Sequence, residues 1–223
     1  MFRHTRLLLS LGMLLPVLAI ALDYSDQSNR YTDAPFPVPE AAGISLLSNL
    51  GAVEGNPDGT FHPERTLNRA EFLKIAIAGH PRIRASNTDA KTCFPDVSKE
   101  DWFSRYVCLS KRRGVIGGYP DGYFRPGFPV NYAEALKILG ELYDYTAWAP
   151  PDAPWYTVYV QAAQNYKTIL PIHLAYDEPL TRGQMARLAA AYRAEATGEL
   201  DLYRRAERGE IVVAPPAASS SAV

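Results

Sequence analysis

The chain has 223 residues, 47% hydrophobic and 21% charged, a globular composition that excludes a wholly disordered or fibrous protein. A net charge of −1 gives no basic footprint for nucleic acid and no polybasic pull toward anionic lipid. Two cysteines are too few for a disulfide-dense miniprotein or a four-thiolate zinc site.

The first 21 residues have the pattern of a secretory signal peptide. Arg3, His4 and Arg6 form a basic start, Leu7 to Ala21 carries no charge, and Ala19-Ile20-Ala21 supplies small residues two positions apart. The rival is an uncleaved anchor, but an apolar run of about 15 residues is short of the roughly 20 needed to span a bilayer. Cleavage after Ala21 is expected, followed by an N-terminal segment over 22–35. No second run of that length follows, so the mature chain is expected to lack a membrane span.

From residue 36 the chain is organised by an internal repeat. Pro57, Asp58, Gly59, Phe61 and Pro63 recur 63 positions later as Pro120, Asp121, Gly122, Phe124 and Pro126. The same offset carries Asn68, Ala70, Glu71, Lys74 and Ile75 onto Asn131, Ala133, Glu134, Lys137 and Ile138. A weaker third copy lies 50 residues further on, where Pro129-Val130-Asn131 becomes Pro179-Leu180-Thr181 and Arg182 stands in the place of Arg69. The predicted units span about 36–80, 93–146 and 150–195, with a polar linker over 81–92.

Each unit reads as helix, turn, helix. Unit one opens with Leu46, Leu47 and Leu50 on one face before Gly51. In unit two a start at Ser98 and Asp101 precedes Trp102, Tyr106 and Leu109, spaced four and three apart, and Gly114 suits the left-handed position past the helix end. Unit three repeats the face with Trp155, Tyr159, Ala162 and Tyr166. Pro-Asp-Gly is the material of a tight turn. The second helix starts with a capping box each time: Asn68 with Glu71, Asn131 with Glu134, Thr181 with Gln184. One such unit cannot bury its apolar face alone, whereas three packed together can. Beyond residue 195 the sequence gives a charged helix over about 199–208, then a Pro/Ala/Ser-rich tail over 215–223.

Cys93 and Cys108 both fall in unit two. In an oxidising compartment a Cys93–Cys108 disulfide is the default, closing about 15 residues and worth about 3 kcal/mol in the chain-entropy model. The alternative is two buried thiols.

These segments resemble the S-layer homology domain family. The match lies in Gly55 to Pro63 with Asn68-Arg69-Ala70-Glu71, in Gly118 to Pro126 with Asn131-Tyr132-Ala133-Glu134, and in Thr181-Arg182-Gly183-Gln184. Phe94-Pro95-Asp96-Val97 and Trp102 of unit two also resemble the family. The resemblance implies an all-α fold in which three tandem motifs form a pseudo-threefold helical bundle. It implies non-covalent anchoring to an envelope polysaccharide, which in many members carries pyruvate ketal carboxylates. Arginine forks and helix N-termini suit carboxylates. Candidate ligand residues are therefore Arg69 and Arg182, matched to the motif arginine, with Arg125, Trp102, Tyr119 and Trp155 second. Departures are Tyr132 in place of the arginine, Asn56 in place of the tyrosine, no tryptophan opening unit one, and Leu170-Pro171-Ile172-His173 in place of the turn.

Each candidate has a plainer reading. Glu71 and Glu134 read as caps, Asp58 and Asp121 as turn formers. Trp102 and Trp155 fit core packing on helix faces as well as sugar stacking, and Arg69 and Arg182 could equally pair with neighbouring acids. No elbow serine, zinc signature or phosphate loop is present, so no catalytic residue, cofactor or metal is assigned. The leading expectation is an exported, non-catalytic module of the envelope or cell surface that binds polysaccharide and, through it, the cell wall or S-layer. The alternative is a structural surface protein that uses the same scaffold for protein–protein assembly without glycan binding.

Overall fold

The structure, a computed structural model, describes residues 30–210; the expected signal peptide and Pro/Ala/Ser-rich tail lie outside the described residues. It is all-α. Among the described residues seven α-helices run in chain order: α1 Val38–Asn49, α2 Arg69–Gly79, α3 Ser104–Arg112, α4 Tyr132–Tyr143, α5 Thr157–Asn165, α6 Arg182–Ala196 and α7 Leu200–Glu207. Among the described residues β-pairing is limited to isolated bridges. No helix among them is long and apolar enough to cross a membrane.

The second helix of each unit starts where the sequence signals it. Asn68, Asn131 and Thr181 cap α2, α4 and α6, each accepting from the third N–H of its helix, with Glu71, Glu134 or Gln184 reaching back to the cap N–H. That leaves the first two N–H groups of each helix to be satisfied. They are satisfied by the next unit. Arg69 and Ala70 donate to the carbonyls of Phe128 and Pro126, Tyr132 and Ala133 to Glu178 and Tyr176, and Arg182 and Gly183 to Arg65 and Pro63, all at 2.8–3.1 Å. Just before the helices the backbone bonds close into a ring: Leu67 N donates to Leu180 O, Leu180 N to Val130 O, and Val130 N to Leu67 O. The three side chains of this ring are buried.

Packing follows the same order. The helices α2, α4 and α6 touch one another, and each opening helix lies on the second helix of the preceding unit: α3 on α2, α5 on α4, α1 on α6. The core is filled by Phe61, Phe72, Phe124, Leu136, Leu188 and their neighbours. Gly43 sets the α1–α6 distance. A Cβ there would meet the backbone of Ala186 and Arg187 at 2.7–2.9 Å.

The turns also repeat. Asp58 Oδ1 accepts from Thr60 N and Asp121 Oδ1 from Tyr123 N, at 3.0 and 3.1 Å. Gly59 and Gly122 both take φ +84°, which favours glycine. A further pair escaped the sequence reading. Asp33 accepts from Phe61 N and His62 N, and Asp96 from Phe124 N and Arg125 N. These carboxylates hold His62 and Arg125 at φ +56° and +58°.

Two details depart from expectation. The Ser98/Asp101 pattern closes a turn, with Ser98 N bonded to Asp101 Oδ2 at 2.8 Å, and α3 begins only at Ser104. Residues 81–92 are tied down by a 3₁₀ turn at Asn87–Asp89, whose buried Asp89 pairs with Arg112. Cys93 and Cys108 are joined in a disulfide that fixes the segment before α3 to the helix itself.

Two stability predictions follow from this packing. Gly43→Ala is expected to cost about 1–3 kcal/mol, because helix backbone cannot yield as a side chain would; a lower urea midpoint would register it. His80 is buried, with Nδ1 accepting from Arg82 N and Ile83 N at 3.1 and 2.9 Å. Burial, aided by the nearby arginines, lowers its pKa from 6.5 to about 4. Above about pH 6.5 the imidazole is neutral in both states and its full contribution is present. As the pH falls toward about 4 only the unfolded chain gains the proton, so stability drops by up to about 3 kcal/mol. Urea titrations from pH 7.5 to 4 should show this decline, and His80→Asn should remove that share of it.

Candidate functional site

The junctions between units create clefts, each drawing on all three units. In one, of about 330 Å³, Arg69 comes from the start of α2, Tyr119, Glu134 and Lys137 from unit two, and Trp155 from the approach to α5. In another, of about 230 Å³, Arg182 comes from the start of α6, Asn56, Glu71 and Lys74 from unit one, and Trp102 from the approach to α3. The two sets correspond position by position through the repeat. The structure thus brings Arg69, Tyr119 and Trp155 together, and Arg182 and Trp102 together.

The tryptophans lie off the helix faces expected from the sequence. Each precedes its helix by two residues and is 55% exposed, so its ring lines a cleft wall instead of the core. Arg125 lies outside both clefts: it pairs with Asp121, and its guanidinium carbon sits 4.6 Å and 5.1 Å from the ring centroids of Tyr119 and Phe128. Arg69 is 4.8 Å from the same Tyr119 ring, so two guanidiniums flank one phenol.

The two arginines differ electrostatically. Arg69 is buried and compensated: Nη1 meets Glu134 at 3.0 Å and Nε donates to Phe124 O at 3.1 Å. Glu134 also accepts from the Tyr119 hydroxyl at 3.0 Å and from the capped Asn131 N–H at 3.1 Å. In the second cleft the corresponding Glu71 is taken by Arg65, at 2.9 and 3.2 Å. Arg182 is buried, donates to Glu54 O, lies 4.3 Å from the Phe61 ring, and has no protein acceptor on Nε. No carboxylate among the described residues forms an ion pair with it. Burial and the facing Arg65 together lower its pKa.

The third junction is built from different residues. Tyr132 replaces the arginine, and its buried hydroxyl accepts from Leu170 N at 3.1 Å; burial pushes the phenol up to about 12. Arg187 stands where Lys74 and Lys137 stand elsewhere. It meets Glu207 of α7 at 3.1 Å, and Arg204 of α7 binds that carboxylate as well as the carbonyls of Lys167 and Ile169. The charged helix expected near the C-terminus therefore covers this junction, and Glu207 is buried within it. A cavity of about 650 Å³ remains beneath Arg187 and Arg204, walled by Pro39, Pro171 and Ile172.

Sequence reasoning missed Lys74 and Lys137 as cleft residues and saw Glu71 and Glu134 only as caps. The signal was present, since all four recur at the common offset. The glutamates follow the cap by three positions and the lysines by six, so all lie on one helix face toward the same cleft.

Buried, paired Arg69 and exposed Trp155 should separate folding from surface function. Arg69→Ala is expected to cost about 3–5 kcal/mol by leaving Glu134 uncompensated. Trp155→Ala should stay within about 0.5 kcal/mol of wild type. Equilibrium urea unfolding measures both.

The family model of the S-layer homology domain matches residues 36–73 and 94–136. Similar proteins include a surface layer protein of Brevibacillus choshinensis, 33% identical over 43% of this chain and 9% of its own length. A cellulosome-anchoring protein of Acetivibrio thermocellus is 33% identical over 44% of this chain and 22% of its own. An uncharacterized cell wall amidase of Bacillus anthracis is 34% identical over 52% of this chain and 21% of its own. The chain thus spans less than a quarter of the length of each of these relatives.

Proposed function

We propose that this chain, which carries S-layer homology domains at residues 36–73 and 94–136, is a non-catalytic anchoring module of the cell surface that binds an anionic envelope polysaccharide in its two open clefts. The observation that carries this reading is Arg182: a buried guanidinium without a carboxylate partner, on the wall of a cleft that also presents Lys74 and the exposed face of Trp102. A buried charge is costly unless paired, and a sugar carboxylate such as a pyruvate ketal would pair it with bidentate geometry. The adjoining sugar ring stacks on Trp102. The Arg69 cleft repeats the design around Lys137 and Trp155, with its arginine partly neutralised by Glu134.

A binding role also suits the recurrent acids. Asp33 and Asp96 hold backbone N–H groups, Asp58 and Asp121 hold turns, and Glu71 and Glu134 hold caps and arginines. The anchoring named for the cellulosome relative and the surface location of the surface layer relative agree with this reading.

Co-sedimentation with envelope sacculi tests it, using residues 22–223 and sacculi stripped of secondary polymer as control. Wild type should pellet with intact sacculi only. Lys74→Ala with Trp102→Ala, and Lys137→Ala with Trp155→Ala, should each weaken binding by about 10–100-fold per cleft, the worth of a lost charge-assisted hydrogen bond. The four substitutions together should abolish it. If wild type stays in the supernatant, the polysaccharide reading is wrong and the scaffold serves protein assembly.

A further inference from the structure

Trp155 lines two cavities. On one side is the cleft of Arg69, Glu134 and Lys137; on the other is a cavity of about 400 Å³ walled by Trp155, Tyr156, Tyr176, Asn131 and Asp177. The chemistry changes across the indole. The first side is cationic. The second holds no cation, and its one ionisable acid, Asp177, is exposed and makes no ion pair among the described residues. Three aromatic rings face it, with Tyr156 and Tyr176 at 4.9 Å between centroids and Tyr176 stacked on buried Tyr132 at 6.0 Å. Asn131 spends its carbonyl on the α4 cap, which leaves its amide N–H groups for a ligand.

Resting on the polysaccharide reading, we propose that this cavity is a subsite for a neutral sugar. The chain then binds an oligosaccharide lengthwise over Trp155, anionic residue toward Arg69 and Lys137, uncharged residue against Tyr156 and Tyr176. Ring faces take the C–H face of a pyranose. Asp177 accepts from hydroxyls and repels a second anion, and the Asn131 amide donates to a ring or hydroxyl oxygen. The subsite sits at the start of α4, beside Trp155 and not beside Trp102. Through the repeat, Tyr176 and Asp177 correspond to Pro126 and Gly127, and Tyr156 to Phe103, so beside Trp102 only Asn68, the counterpart of Asn131, keeps a polar side chain.

The test uses fragments released from the native envelope polysaccharide: the anionic monosaccharide, and the same residue extended by neutral sugars. Titration calorimetry is run on the chain carrying Lys74→Ala and Trp102→Ala, which silences the other cleft. The extended fragment should bind about 10-fold tighter than the monosaccharide, the value of about one hydrogen bond to a charged acceptor. Asp177→Ala and Tyr176→Ala should each remove most of that gain and leave monosaccharide affinity unchanged. Unchanged circular dichroism and urea midpoint would show that neither variant disturbs the fold. Equal affinity for both fragments, or a gain that survives both variants, overturns the subsite while the charged cleft stands. Binding of neither fragment overturns the polysaccharide reading and the subsite with it.

Discussion

The ring of backbone hydrogen bonds joining Leu67, Val130 and Leu180 is the constraint on which the rest depends. Helix starts expose N–H groups that must be satisfied when buried. Each unit covers its third N–H with its own cap and leaves the first two for the carbonyls of the next unit. No unit therefore completes its second helix alone. Three units close the cycle, and the contact of α1 with α6 joins its two ends.

The clefts are a by-product of that closure. A helix start, a turn from the next unit and the approach to the following opening helix meet at every junction. At two of the junctions the backbone places an N1 side chain, an N3 side chain, a residue one turn on and an approach residue around one cleft. The side chains decide what each cleft does. With arginine at N1 and tryptophan on the approach, it stays open and charged. With Tyr132 at N1 and Pro39 in the tryptophan position, the junction is less polar, and α7 lies across it with Glu207 against Arg187.

The two arginine clefts differ in how their arginine is compensated. The acid that neutralises Arg69 has a counterpart, Glu71, that Arg65 draws away from Arg182. In a low-dielectric wall such a change decides whether a guanidinium is satisfied internally or awaits an anion. Arg65 corresponds by offset to Phe128, whose ring instead lies against Arg125 and Tyr119. Arg65 in place of Phe128 thus contributes to the electrostatic asymmetry, beside Asn56 in place of Tyr119.

The sequence by itself determined the all-α class, the three caps and two of the turns, because these rest on interactions within a few residues: a cap reaching three positions on, an aspartate accepting from an N–H two positions on, a glycine at positive φ. The expected Cys93–Cys108 pairing is present as a disulfide. Only the tertiary structure decided the rest. Trp102 left the core for a cleft wall because Ser98–Asp101 closes a turn and helix α3 begins late, and Trp155 because helix α5 begins only at Thr157. Lys74 and Lys137 became cleft residues because a neighbouring unit supplies the opposite wall. Glu207 found Arg187 across 20 positions of chain, and Arg182 lost its carboxylate to Arg65. These outcomes turn on which charges meet across unit boundaries, and a linear pattern holds no record of distances between residues far apart along the chain.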